Sequence, residues 1–549
     1  MPLTMAERRY IFAPEERPLF PGAPYSPRLS AGSRCGYALS GVVLALASGL
    51  GNALITTNLY VIAGNMGLYV AEANLLLAIF VAFNATANLL LVKARIQFGI
   101  PACMHAILGA LILGEGIALV YPSLGTTILA RAISGVASGG LTTMGLYSFF
   151  QVFPARLRPM AVIVGFSLPQ LAVPIARLVP VEAVALEHWA GVHRMELALA
   201  LAAWALTTLL PLPPTDRTKV FQPLDALTIA LALAAMLLGC TGLAFGRFYW
   251  WTDTPWLGWM FAGALLLLGL VFAVEDRRTQ PLLQVRWFGT ADVLLIAGIS
   301  LVVRIALTEQ TYAAVGLLSL GGLTNDQLHG LFAVVLLAMI GGIAVAAWLA
   351  RPDRLLPMML GSALVIALGA WLDTHATSDT RATQLYLSQS LLGIGTTLFL
   401  GPALLFGIAR VLERGPTHLV SFVVLFSTTQ NLGGLAGAAL LGSIQTIRTR
   451  VHAEALADAM PVGNPLAGQR IAVDATQIAA QLPDAAAAAA QARARLGGAL
   501  QTQANVLAFN DTFWVVTLLA LGLAVFLAAV ILVREGRRRR AARLVGAAP

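Results

Sequence analysis

The sequence predicts an all-α chain folded as a polytopic membrane helix bundle, with fourteen transmembrane helices arranged as six, two and six. Three observations predict it. Of 549 residues, 58% are hydrophobic and 11% charged, with a mean hydropathy of +0.80; soluble chains carry about 25% charged residues. The apolar residues fall in runs, such as 224–245, 262–274 and 515–533. Each reaches or approaches the roughly 20 residues that cross a hydrocarbon core of about 30 Å. Backbone in lipid must satisfy its own hydrogen bonds, so such runs are helices. Finally, the basic residues gather in short clusters between alternate runs, which is how membrane orientation is written in a sequence.

Residues 1–36, with Pro14, Pro18, Pro21, Pro24 and Pro27, read as a disordered cytoplasmic tail. They lack the apolar centre and cleavage site of a signal peptide. The first bundle, 37–211, holds spans at 37–62, 70–92, 99–120, 124–151, 160–180 and 189–211. Pro169, Pro174, Arg177, His193 and Glu196 interrupt the last two. Two inserted helices, 224–246 and 256–274, lie in 212–288. The second bundle, 289–533, has spans at 290–319, 326–349, 355–372, 383–410, 418–446 and 511–533. A basic tail, 534–549, contains Arg537, Arg538, Arg539 and Arg540.

With the N-terminus inside, the cytoplasmic loops carry Lys93 and Arg95, Arg156 and Arg158, Arg217 and Lys219, Arg277, Arg278 and Arg286, Arg351 and Arg354, and Arg410 and Arg414. The short outer loops hold few basic residues beyond Arg247 and Arg381. Both termini are therefore expected in the cytoplasm, with the chain in an inner (plasma) membrane. The long outer loop 447–510 escapes the charge rule. Its Ala and Gln content predicts one or two helices outside the membrane, either as a cap on the outer mouth or as a dock for a periplasmic adaptor. The aromatic group Phe248, Tyr249, Trp250, Trp251, Trp256 and Trp259 reads as an interfacial belt.

The net charge of +9 does not imply nucleic acid, since no soluble basic surface with interleaved aromatics accompanies it. Cys35, Cys103 and Cys240 have no metal spacing, and the seven histidines form no paired-ligand motif. No phosphate-cradling loop or nucleophile elbow is present, so neither an enzyme, a cofactor nor ATP-driven transport is expected.

An internal repeat links the fourth and twelfth spans. Arg131-Ala-Ile-Ser-Gly135 and Gln389-Ser-Leu-Leu-Gly393 each put a polar residue four before a Gly, followed by small residues. The loop KARIQFG after the second span has a basic counterpart, RPDRLLP, after the tenth. Eight helices separate each pair, which predicts two six-helix halves with two helices between them. With this plan, the loop NLLLVKARIQFG, the segment RAISGVASGG and the C-terminal stretches NLGGLAGAALLGSIQTIRTRVHAEAL and QANVLAFNDTFWV, the chain resembles the major facilitator superfamily. It is most similar to the fourteen-helix drug/proton antiporter branch (EmrB/QacA type), over residues 37–533. The resemblance implies alternating access, and export of drugs or metabolites in exchange for protons. It implies that Lys93, Arg95 and Gly99 form a cytoplasmic gating loop, and that Arg131 and Gly135 match the fourth-helix arginine motif. Three departures follow from it, one being that the gating loop lacks its usual aspartate. Gly51 and Asn52 stand where the branch often carries an aspartate, and Arg177 stands near where its fifth helix has a Gly.

Ionisable residues inside spans are costly and mark function by default. Glu115 and Arg131 lie at similar distances from the hairpin tip at Tyr121, so they are expected to pair, as a proton-coupling switch or as a static tie. Arg304 and Glu309 occupy the ninth span, which by the resemblance lines the cavity. They are about 140° apart on a helix and are not expected to pair. Arg304 is read as an attractor for an anionic or polar substrate and Glu309 as a proton-coupling candidate. Asn52, Thr56, Asn58, Gln170, Gln384, Ser388 and Gln389 are substrate-binding candidates or inter-helix glue. Asn84 and Asn88 form a polar stripe expected to pack against another helix. Arg177 and Glu196 are expected to snorkel near the outer surface. A proton-driven exporter is the first functional expectation. An uncoupled or dedicated exporter is the second, and a non-transporting receptor or scaffold the third.

Overall fold

The computed structural model describes residues 16–18, 23–185, 189–213, 215, 217–288, 290–415, 418–461, 463–480, 482 and 484–546, and every regular element among them is helical. A first group comprises α1 (Ala31–Thr57), α2 (Leu59–Asn65), α3 (Val70–Phe98), α4 (Ile100–Val120), α5 (Leu124–Val152), α6 (Arg158–Ser167), α7 (Ala172–Leu178), α8 (Val181–Val184) and α9 (Ala190–Leu209). A hairpin of α10 (Pro223–Tyr249) and α11 (Pro255–Asp276) follows, then the single turn α12 (Val285–Phe288). The second group is α13 (Ala291–Ala306), α14 (Glu309–Leu320), α15 (His329–Trp348), α16 (Leu355–Asp373), α17 (Tyr386–Arg414), α18 (Leu419–Asp458), α19 (Pro465–Ala479) and α20 (Ala485–Gly546).

Among the described residues, twelve helical segments are long and apolar enough to cross a bilayer. The helices α5 and α9 are not among them. Gly, Ser and Thr lower the hydropathy of α5, and His193, Arg194 and Glu196 lower that of α9. Both nevertheless lie inside the bundle, α5 against α1, α3 and α4, and α9 against α1 and α4.

Two spans are broken where their residues demand it. The fifth runs as α6, a 3₁₀ turn over Leu168–Leu171 and α7, because Pro169 and Pro174 cannot donate to the helix ladder. The ninth is interrupted at Leu307 and Thr308, between α13 and α14. That break sits between Arg304 and Glu309.

The tail is more ordered than its prolines suggest. Residues 1–15 and 19–22 lie outside the described residues. Beyond them, Gln151 Nε2 donates to the Tyr25 carbonyl at 3.0 Å, and the Ser26 amide donates to the Glu16 carbonyl at 2.9 Å. Glu16, Ala23 and Tyr25 are buried. The first helix starts at Ala31, six residues before its expected start, with the Ser30 hydroxyl accepting from the Ser33 amide as its N-cap.

At the other end, α18 and α20 outrun any bilayer. Their 40 and 62 residues span about 60 and 93 Å at 1.5 Å per residue. Between their overhanging ends α19 packs through Ile478 against Ala488 and Ala492, forming a helical cap. Gln445 donates to Asn505 at 2.7 Å, and Asp511 lies 2.7 Å from His452 Nε2, tying the two overhangs together.

Candidate functional site

The first group buries one continuous polar chain. Arg131, on α5, donates from Nη1 to Glu196 Oε1 at 3.0 Å and from Nη2 to Asn52 Oδ1 at 3.0 Å. Its guanidinium also stacks over the Phe80 ring, 4.6 Å from the centroid. One helical turn on, Ser134 Oγ lies 2.7 Å from Glu196 Oε2 and 3.2 Å from Glu115 Oε1. The far oxygen of Glu115 is 2.6 Å from His193 Nδ1. Glu115 is fully buried, and Arg131, Glu196 and His193 are nearly so.

This corrects the expected pairing. Glu115 and Arg131 belong to one network but do not bond each other; each takes its partner from α9. Distance from a hairpin tip fixes depth but not the direction around the helix axis, and α9 presents His193 to one residue and Glu196 to the other. Glu196 does not snorkel. Its carboxylate lies against Gly51, in the space that an added Cβ would occupy. Glu196 of α9 thus occupies the space that Gly51 of α1 leaves.

The second group holds a counterpart. Gln389 Nε2, on α17, donates to Asp373 Oδ2 at 2.7 Å and Glu309 Oε1 at 3.1 Å, and Gln310 donates to the Gln389 carbonyl at 3.0 Å. The two clusters are in register. Arg131 and Gln389 differ by 258 in number (389 minus 131), and so do Glu115 and Asp373, Asn52 and Gln310, and Gly51 and Glu309. Asp373 was missed as a candidate because it closes a span; the constant offset was the signal that would have found it.

Arg304 makes no pair with Glu309. Its Nε donates to the Gln430 carbonyl at 3.2 Å, and Gly433 and Gly434 of α18 make room for its stem. Among the described residues no carboxylate pairs with it. Both side-chain polar atoms of Gln430 are buried without a partner. Close by, the two groups of helices meet. Asn431 donates to Asn84 at 2.7 Å and Asn88 to Ser427 at 2.9 Å. At the cap end Arg177, also buried rather than snorkelling, donates to Asn325 Oδ1 at 3.1 Å.

The remaining candidates scatter. Thr56 and Asn58 donate back to their own helix, at the Asn52 and Leu54 carbonyls, and Ser388 to that of Leu385. Gln384 is exposed and caps the turn before α17. Gln170 is half-buried in the 3₁₀ turn, with no side-chain hydrogen bond among the described residues. At the basic end, Lys93 reaches Asp225 of α10 at 2.8 Å, and Arg278 bonds both Asp225 and Glu275. Arg95 donates to the Tyr147 hydroxyl at 3.3 Å, and Gly99 turns the chain at φ +88°.

No protein-family model matches the chain, and no curated protein matches its sequence. Solved structures do. The human organic anion transporter MFSD10 (TETRAN) is 12% identical with a TM-score of 0.52, over 90% of this chain and 100% of that one. A bacterial homologue of the human drug peptide transporters PepT1 and PepT2 is 14% identical with a TM-score of 0.53, over 91% and 99%. The proton:xylose symporter XylE, of the major facilitator superfamily, is 14% identical with a TM-score of 0.50, over 75% and 88%.

The chain has the major facilitator fold.

Within that fold, the clusters sit on equivalent helices. A facilitator bundle is built from internal repeats, and here the repeat keeps the register of a buried polar site while changing its charges. The first cluster holds two carboxylates, a guanidinium and an imidazole, whereas the second holds two carboxylates and amides.

Proposed function

We propose that this chain is a secondary active transporter that exports small molecules across the inner membrane by alternating access, driven by the proton gradient. The observation that carries it is the chain from His193 through Glu115, Ser134 and Glu196 to Arg131. With both carboxylates ionised and the imidazole neutral, its net charge is −1. One added proton makes it neutral, so the cluster has room for one transported proton. The single Ser134 hydroxyl hydrogen can serve only one carboxylate at a time. A proton arriving at Glu115 or His193 can therefore pass along the chain to Glu196. Neutralising Glu196 removes the charge that holds Arg131, and α1, α5 and α9, which meet there, are released to re-pack.

The proposed architecture is two six-helix bundles, 37–211 and 289–533, with α10 and α11 inserted, giving fourteen crossings with both termini in the cytoplasm. Support for α5 and α9 as crossings comes from their place inside the bundle. The buried Arg131 and Ser134 of α5 and the buried His193 and Glu196 of α9 meet inside the bundle, which is where polar groups in a membrane belong. Lys93 joins the proposed gating loop to α10 through Asp225. The cap is the candidate dock for a periplasmic adaptor.

The substrate class we propose is anionic or polar. Arg304, a cation with no carboxylate partner among the described residues, donates to the Gln430 backbone carbonyl, and the Gln430 side-chain amide is itself buried and unsatisfied near the seam between the bundles. MFSD10, which shares the fold, is an organic anion transporter, a chemistry that agrees with this reading. An uncoupled exporter, the second reading, drew on the missing acid at Gly51 and Asn52; Glu196 fills that space. The test is transport by the full chain in proteoliposomes. Acidic and cationic compounds are screened first, and then a pH gradient is imposed on the best of them. Accumulation driven by the gradient in the wild type, lost in Glu196→Gln while substrate exchange persists, is the expected result. Equal accumulation with and without the gradient overturns coupling.

A further inference from the structure

We propose that Glu309 and Asp373, bridged by Gln389, form a second site in this protein, one that binds a single monovalent cation, a proton or a sodium ion, in the second group of helices.

Three observations carry it. Both carboxylates are buried, Glu309 completely and Asp373 to 2% exposure, and one amide nitrogen reaches an oxygen of each. Two negative charges within reach of one neutral donor, away from water, repel strongly and need a positive charge between them. The second observation is an orphan. Glu309 Oε2 is buried with no hydrogen-bond partner, and buried carboxylate oxygens are seldom left so. The third is the repeat. At the position of Gln389 the first cluster places Arg131, whose guanidinium stands against Glu196 and Asn52. The second cluster keeps an acid at the Glu115 position, gains one at the Gly51 position, and has an amide where the guanidinium was. It is short of one fixed positive charge, in the place where its counterpart carries one.

No neighbouring group supplies that charge. Among the described residues neither carboxylate has an ion pair. Arg247, from α10, turns to the Tyr312 hydroxyl of α14. Arg448 and His452 of α18 are taken by Asp511 of α20, and His375, just past α16, lies 2.9 Å from the Thr374 hydroxyl. Arg304 of α13 turns to the Gln430 carbonyl. From α17 come the neutral Gln389 amide and the Ser388 hydroxyl, and from α14 the neutral Gln310 amide, none of which carries a charge. Against the turn after Asp373, α20 sets another buried orphan, Asn510 Oδ1, whose amide nitrogen donates to the Ala376 carbonyl.

The two cations are told apart on the purified full-length protein, with no knowledge of the transported substrate. Infrared difference spectra are recorded against pH and against sodium chloride, with choline chloride as the ionic-strength control. Thermal melts are recorded in the same solutions. If the cation is a proton, a carboxylic-acid band present in the wild type titrates with pH and is missing from the Glu309→Gln/Asp373→Asn double variant. If it is sodium, the midpoint of melting rises with sodium but not choline, and the double variant loses that rise. Gln389→Arg restores the guanidinium of the first cluster, and the expected result is loss of whichever response the wild type shows. Glu309→Gln alone, near-isosteric, covers the case in which Gln389→Arg fails to fold, and it too must lose the response. Identical spectra and identical melts for the wild type and the double variant, in both series, overturn the proposal.

Discussion

A carboxylate buried at membrane depth persists only where donors and positive charge meet it, and Glu196 has both in Arg131 and Ser134. Removing one partner of such a pair leaves the other charged and alone, which typically costs about 3–5 kcal/mol, whereas removing both leaves only a packing loss. Arg131→Ala is therefore expected to lower the unfolding free energy in detergent by about 3–5 kcal/mol. The double variant Arg131→Ala/Glu196→Ala should be less destabilised than the single, and a double variant that is worse would show that the pair is not the unit of stability. Gly51 offers a subtler probe, because a methyl group there would occupy the space of Glu196 Oε1. Gly51→Ala should expel the carboxylate from Arg131 and abolish gradient-driven transport as Glu196→Gln does, although it changes no charge. Retention of full proton-driven flux in Gly51→Ala would place the coupling carboxylate elsewhere.

At the scale of elements, small residues decide where helices touch. An added Cβ at Gly135 would stand 2.6 Å from the Phe80 backbone oxygen, and a backbone atom cannot swing away as a side-chain tip can. Gly135→Ala should force α3 and α5 apart and cost about 1–3 kcal/mol, read as a lower melting midpoint. An unchanged midpoint would mean that the helices slide freely at this crossing. Elements were also the most legible feature of the sequence. Apolar runs bounded by basic clusters located nearly every helix, because membrane depth imposes length and composition. The partnerships were not legible. Glu115 and Arg131 could be placed at one depth, but their rotation about the helix axes is set by packing, so their partners on α9, His193 and Glu196, went unread. Gln384 and Thr56 looked like Gln389 and Asn52 in the sequence. Only the register of the repeat separates them, since Asn52 and Gln389 fall on matched cluster positions and Gln384 falls on a cap. Asn84 and Asn88 packed against another helix, as their spacing suggested, and that helix came from the other group.

For the whole molecule, the number of crossings turns on α5 and α9, the two helices whose polar residues lower their hydropathy. A helix of 29 residues such as α5 is about 43 Å long, more than a hydrocarbon core of about 30 Å requires. It lies among α1, α3 and α4, so in the proposed architecture a chain that threads α4 across the membrane brings α5 back. With both helices crossing, the segment after α5 returns to the side that holds the N-terminus. If α5 did not cross, that segment would stay on the opposite side. Arg156 lies in it and is exposed, which makes it the discriminating position. Cys103 and Cys240 are buried and Cys35 is exposed, so a Cys35→Ser background has no accessible thiol. In that background Arg156→Cys should react with a membrane-impermeant maleimide in inverted vesicles and stay unlabelled in intact cells. Cys35 in the wild type should show the same sidedness, because it begins the first crossing from the same face. Labelling of Arg156→Cys from outside, with Cys35 labelled from inside, would remove α5 from the crossings. It would also separate Arg131 from the helix hairpin on which proton coupling is proposed to act.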